Sequence, residues 1–296
     1  MAAIRELKRR LGSVQSSQKI TGAMRMIASA RLQKVENALK STLPFEEQLQ
    51  SILNHINPDD YTGISPLGEV REVNNIALIA LGSDEGLNGS FNINVVKKAT
   101  EFIHACRAET LNPVQVFVIG KRLRAIQRIP NIELNEVPAF FAEKKIAEGA
   151  QMLVSELIQR FLKKEIDRVE VIYTHYQSMG SQAVNRIQLL PLLPKKETTG
   201  KEQLGADTSA SELYYIYEPD AGTIIEKLYP LIVQIMFYKC VLESKSSEEA
   251  MRVISMQTAN DNANKLIEKL QLEYNKLRQQ SITTELLDIA GGATKD

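Results

Sequence analysis

Residues with chemical potential are sparse in this 296-residue chain. The most enzyme-like stretch is a short apolar run, residues 76–81, followed by Gly82-Ser83-Asp84-Glu85-Gly86-Leu87-Asn88-Gly89 and then a helical pattern. A strand, a glycine-containing turn and a helix can present backbone N–H groups to a phosphate. The spacing of Gly82, Gly86 and Gly89 does not match the dinucleotide fingerprint, however, and no Lys-Ser or Lys-Thr follows to hold phosphates and magnesium. A structural turn is the better reading. Ser178-Met179-Gly180-Ser181 is not a nucleophile elbow and has no visible base to activate a serine. His55, His104 and His175 lack Cys, His or paired acids at ligand spacing. Cys106 and Cys240 match no metal or redox spacing and read as small buried hydrophobes in a reducing compartment.

Charge gives a second lead. Lysine plus arginine equals aspartate plus glutamate at 36 each, yet residues 1–40 hold nine basic side chains (Arg5, Lys8, Arg9, Arg10, Lys19, Arg25, Arg31, Lys34, Lys40) against Glu6 and Glu36. That basic rod has no aromatic residue before Phe45 to stack on bases and no DNA-reading motif, so nucleic acid is not its expected partner. A solvated face and an acidic protein surface both fit it. The basic, acid-poor start is shared with transit peptides, but here it carries a coiled-coil stripe. No apolar run reaches the length that a membrane-spanning helix needs.

The elements that must carry these groups fall into three parts. Residues 1–57 read as a long helix with a stripe of Ile4, Leu7, Leu11, Val14, Met24, Ala28, Leu32, Val35 and Leu39, interrupted where Gln18 and Thr21 replace apolar residues. Gly12 and Gly22 each cost about 1 kcal/mol of helix propensity relative to alanine. Pro44 is expected to kink this helix without ending it. Residues 57–63 then read as a stop and loop.

At the other end, residues 248–293 read as one uninterrupted helix with Ala259, Ala263, Leu266, Leu270, Tyr274 and Leu277 on one face, a coiled-coil seam that needs a partner. Between the two helices, residues 73–195 alternate strands (76–81, 114–119, 169–173, 185–190) with helical segments, including a basic one at 121–128. An inserted, Rossmann-like α/β domain follows. Residues 196–212 read as a surface loop, and 213–296 as a short strand and then the C-terminal helix. The fold class is therefore α+β.

Two stretches on the long helices admit two readings each. Met24, Met26 and Ile27 fit either the seam or a soft contact with other chains. The polar band Arg278, Gln279, Gln280, Ser281, Thr283, Thr284 and Glu285 fits either an exposed helix end or a contact surface.

The two ends together resemble the gamma subunits of F-type ATP synthases. The resemblance is carried by Ile4-Arg5, by residues 13–21 with Ala23-Met24-Arg25-Met26, and by residues 270–286 through Gly292-Ala293. The stretches 82–89, 188–192 and 217–220 occur between them in the expected order. The resemblance implies an antiparallel coiled coil turning inside a ring of alpha and beta subunits. The α/β domain would lie beside the epsilon subunit and on the membrane-embedded c-ring. It implies no catalytic site, metal or cofactor. It also implies ring contacts at Met24, Arg25, Arg278, Gln279, Thr283 and Glu285, and c-ring contacts at Tyr217 and Glu218. The closely spaced cysteine pair of plastid members is absent. A peripheral protein on the cytoplasmic face of a bacterial inner membrane is thus expected, with the mitochondrial inner membrane as the alternative.

Overall fold

A computed structural model describes residues 2–55, 65–110, 112–137, 146–192, 218 and 221–292. Helix α1 spans Ala2–His55, and the last helix, α4, spans Ala221–Gly292. Between them lie β1 (Ile76–Leu81), α2 (Phe91–Glu109), β2 (Val114–Ile119), a 3-10 helix (Lys121–Arg128), β3 (Ile132–Glu136), α3 (Ile146–Leu162), β4 (Arg168–Ser178) and β5 (Ser181–Leu190). The chain divides into two compact units. One comprises residues 1–32, 87–89 and 249–296, and the other 33–86 and 90–248.

The larger unit is built on a five-stranded sheet of order β3-β2-β1-β4-β5. The first four strands are parallel, and β5 returns antiparallel to β4. The order from β3 to β4 is that of a doubly wound half-sheet. Strand β1 is central and buried on both faces, which is why it reads as an unbroken apolar run. Its side chains alternate between two cores. Ala77, Ile79 and Leu81 enter one with Leu153, Leu157 and Phe161 of α3 and with Ile225, Tyr229 and Phe237 of α4. Ile76, Leu78 and Ala80 enter the other with Val95, Ala99, Phe102 and Ile103 of α2 and Leu123 and Ile126 of the 3-10 helix.

Several boundaries differ from those expected. The β4–β5 hairpin runs to Ser178↔Ser181, so Met179 and Gly180 form its tip. Its outer half is half-exposed and polar, and so lacks the apolar signal by which residues 169–173 and 185–190 were legible. Strand β3 follows Pro130 and Asn131, the latter at φ 60°, and forms an edge. An edge strand needs no apolar run, and none marks it in the sequence. Helix α1 continues through Pro44, and α4 runs from Ala221 through Pro230. In this unit Lys239 of α4 pairs with Glu46 of α1 at 2.7 Å. The expected loop 196–212 and short strand near 213–217 lie outside the described residues.

The smaller unit is the helix pair. Its α1 seam alternates by three and four from Ile4 through Leu7, Leu11, Val14 and Gln18 to Thr21, all half-buried, and resumes one heptad on at Ala28 and Leu32, 1% and 3% exposed. Gln18 and Thr21 are therefore seam residues despite their polarity, and Met24, expected in the stripe, lies off it at 38% exposure. On α4 the seam passes through Ala259, Ala263, Ile267, Leu270, Tyr274 and Leu277. Ile267 takes the place expected for Leu266, which is 44% exposed. A heptad stepping four residues from Ala263 reaches Ile267, and Leu266 falls about 100° off the face.

Candidate functional site

The turn after β1 was the strongest enzyme-like signal, and its hydrogen bonds are turned inward. The Gly82 N–H donates to the Ile119 carbonyl at 2.7 Å, and the Ser83 N–H to Asn92 Oδ1 at 3.1 Å. Ser83 Oγ donates to the Glu85 carbonyl at 2.7 Å and accepts from Asn92 Nδ2 at 2.8 Å. Two glycines let the ends of β1 and β2 approach. A Cβ on Gly82 would meet Leu123 at 2.3 Å, and one on Gly120, where φ is 108°, would meet the Gly82 backbone at 2.6 Å. These glycines thus serve backbone packing.

In doubly wound sheets the ligand crevice opens beyond the carboxyl ends of the strands where the strand order reverses, here between β1 and β4. On this side Leu81, Gly82, Ser83 and Asp84 face Val241, Ser244, Lys245 and Glu248 of α4 across a gap of about 300 Å³, its open mouth included. Lys245 and Glu248 pair at 2.9 Å within that lining. The helix thus occupies the side where a nucleotide binds in enzymes of this topology. His175 likewise has a structural partner, since its Nδ1 pairs with the buried Glu243 of α4. Burial, followed by the charges of Cys240 and Glu243, pushes the Tyr173 hydroxyl well above its ordinary range.

The helix pair carries the other candidate residues. Gln18 Nε2 donates to Asn264 Oδ1 at 2.8 Å, and Arg25 Nη1 donates to Gln257 Oε1. Gln257 Nε2 in turn donates to Asp261 Oδ1 at 2.8 Å. From 18 to 25 is seven residues, as is 264 to 257. The two contacts are therefore successive heptad rungs of one antiparallel register. Arg31 continues the ladder toward Glu249 at 3.9 Å. Polar rungs thus cross the seam at this level beside Ala259 and Ala263, while larger apolar side chains face outward, with Ile20, Met26 and Ile27 56%, 64% and 54% exposed. The seam reading of Met26 and Ile27 is excluded on this chain's own packing.

Toward the far end, Arg278, Gln279, Thr283 and Glu285 are exposed. The Thr283 hydroxyl donates back to the Gln279 carbonyl at 2.9 Å, and Thr284 does the same to Gln280. Both hydroxyl protons are thus engaged within the helix, which leaves the Arg278 guanidinium, the Gln279 and Gln280 amides and the Glu285 carboxylate as outward polar groups. Glu218 is exposed, and Tyr217 lies outside the described residues. The polarity of Gln18 does not mark it in the sequence as a partner-bearing residue. Its signal was the unbroken heptad spacing through a polar position.

Two long helices pair antiparallel, and an α/β domain separates them in the sequence. The sequence model described as ATP synthase matches residues 3–294. The ATP synthase gamma chain of Bacteroides thetaiotaomicron is 37% identical over 299 residues, covering 99% of both chains. The chain belongs to the ATP synthase gamma-chain family. The gamma chain of Parabacteroides distasonis is 35% identical over 295 residues, again covering 99% of both.

Among solved structures, a chain of the Euglena gracilis mitochondrial ATP synthase (OSCP/F1/c-ring, rotational state 3) shares the fold at TM-score 0.55 and 18% identity, over 99% of this chain and 94% of that one. A chain of the Tetrahymena thermophila mitochondrial ATP synthase central stalk and c-ring matches at TM-score 0.57 and 18% identity, over 81% and 99%. As a gamma chain the protein is a non-catalytic subunit of its enzyme. It is peripheral and membrane-associated through that enzyme, and among the described residues no helix is long and apolar enough to cross a membrane.

Proposed function

We propose that this chain turns as the central shaft of an F-type ATP synthase and couples ion flow through the membrane sector to ATP synthesis or hydrolysis on the beta subunits. The supporting observation is the antiparallel helix pair, whose Gln18–Asn264 and Arg25–Gln257 rungs fix one register in a chain alignable end to end with gamma chains. In this reading the helices within 1–57 and 213–296 form the shaft, and the domain within 73–195 forms its base. The alpha and beta subunits surround the shaft, the epsilon subunit and the c-ring hold the base, and the assembly lies on the cytoplasmic face of a bacterial inner membrane.

An asymmetric shaft touches each of three beta subunits differently, so each orientation favours a different nucleotide state at each site. Inverting a two-state population from 1:99 to 99:1 takes about 5.5 kcal/mol of differential contact energy. Exposed polar contacts contribute about 0–1 kcal/mol each, so the coupling surface must be distributed. We assign Met24, Arg25, Arg278, Gln279, Thr283 and Glu285 to it, and Tyr217 and Glu218 to the c-ring contact. Met24 supplies adaptable apolar area on the outward face, and Arg25 reaches both Gln257 and the exterior.

Co-purification from membranes tests the assignment. The tagged chain brings down the alpha/beta ring and the c-ring together, and a chain recovered alone overturns the shaft reading. Arg278→Ala and Gln279→Ala each leave coupled ATP synthesis measurable. Complete loss from either change with assembly intact refutes a distributed surface.

A further inference from the structure

The 3-10 helix Lys121–Arg128 carries Lys121, Arg122, Arg124 and Arg128 with no acidic residue among them, and all four are exposed. At three residues per turn, Lys121 and Arg124 share one row, and Arg122 and Arg128 share the next. The platform under these rows is rigid. Leu123 and Ile126 are 0% exposed in the sheet core, the Arg122 N–H donates to the Ser83 carbonyl at 3.0 Å, and the Lys121 N–H donates to Asp84 Oδ1 at 3.1 Å. Elsewhere in the same unit Arg71, Arg160, Arg168, Arg186 and Lys239 meet carboxylates within 4.0 Å. Among the described residues, the exposed Lys97, Lys163 and Lys164 do not, and neither does any of the four cations gathered on the 3-10 helix.

We infer that this face is a docking surface for an acidic segment of a folded protein neighbour within the assembled enzyme, an inference that rests on the shaft reading. Three of the four cations are arginines, whose planar forks suit carboxylates held at fixed spacing. A lipid surface fits less well. Amphipathic segments that bind membranes expose large apolar side chains for insertion, and here both large apolar residues face the core. Nucleic acid fits less well too, because the segment offers no aromatic ring for stacking. Charge of this density steers association and sets its salt dependence.

Zero-length carbodiimide coupling in the purified complex, mapped by mass spectrometry, tests the proposal. The Lys121 amine, and the amine introduced by Arg124→Lys, form isopeptide bonds to aspartate or glutamate of a neighbouring subunit. Their yield falls at least about fivefold as the screening length contracts from about 10 Å at 0.1 M salt to about 3 Å at 1 M. An intact complex with no inter-subunit bond from either position, or a yield indifferent to salt, overturns the proposal. So does sedimentation of the full chain with equimolar phosphatidylglycerol and phosphatidylcholine vesicles that is lost when all four cations are replaced by glutamine, an outcome that makes the face a lipid site. If no complex forms at all, the shaft reading fails, and this inference falls with it.

Discussion

Replacing Asn264 by leucine removes the acceptor for Gln18 Nε2, 2.8 Å away, and leaves that amide facing an apolar side chain in the seam. Both residues are half-buried, so the orphaned amide costs the low end of the range for an unsatisfied buried polar group, about 1 kcal/mol. Gln18→Leu orphans Asn264 by a similar amount. The double variant removes both amides and continues the apolar seam of Leu11, Val14 and Ile267, so it returns to about the wild-type stability or exceeds it by about 1 kcal/mol. Hydrogen exchange of the intact chain reads this locally, at amides of residues 14–25 and 257–268. A change of about 1 kcal/mol there alters protection about fivefold. The reasoning fails if the two single changes add to the double within about 0.5 kcal/mol, because facing residues that share a bond must couple.

Other expectations follow from the same geometry. Gly120→Ala, whose Cβ would lie 2.6 Å from backbone at φ 108°, lowers stability by about 3 kcal/mol or more. Gly12→Ala, with nothing within 4 Å in an exposed helix, raises it by about 1 kcal/mol, and urea titration distinguishes the two. Arg71 Nε donates to Asp167 Oδ1 at 2.8 Å, Nη2 donates to the Phe161 carbonyl at 2.8 Å, and the guanidinium stacks over the Phe161 ring at 4.3 Å. Arg71→Ala costs about 3 kcal/mol in the same titration, because it removes the cation paired with a buried carboxylate and leaves Asp167 with the Asn74 and Asn75 N–H donors. The Tyr176 hydroxyl donates to Glu36, and its pKa is pushed from 10.0 up to about 12 by burial and then by that carboxylate. The neutral phenol is the form the fold favours, so its contribution is complete below pH 10 and is lost as pH rises through about 12. Tyr176→Phe flattens the pH dependence of unfolding across that window.

Much of the fold was legible because burial was two-sided or strictly periodic. Strand β1 is enclosed on both faces and so reads as six apolar residues, and Leu270, Tyr274 and Leu277 mark the α4 seam by spacing alone. What escaped notice was held in place by neighbours. Strand β3 is an edge on which Ile132, Leu134 and Asn135 are half-buried and Glu133 is exposed, and the tip of the β4–β5 hairpin is polar on both strands. Leu266 and Ile267 are adjacent apolar residues, and only the heptad phase imposed by the partner helix decides which one turns inward. The candidate contact residues divide the same way. The band from Arg278 to Glu285 was visible as a run of polar types, but the helix itself ties down the Thr283 and Thr284 hydroxyls.

By itself the sequence determined that two long helices flank an α/β insert, that one helix is basic, and that no familiar catalytic spacing is present. These properties depend on period, composition and chain order, which are local or additive. Tertiary structure decided that Gln18 and Asn264 form one rung, that Met24 faces outward, and that Lys245 and Glu248 lie on the side where a related sheet binds its ligand. Each of those outcomes depends on residues distant in the chain. Pairing across 246 positions is set by the register of two helices that face each other, and no local pattern carries that information.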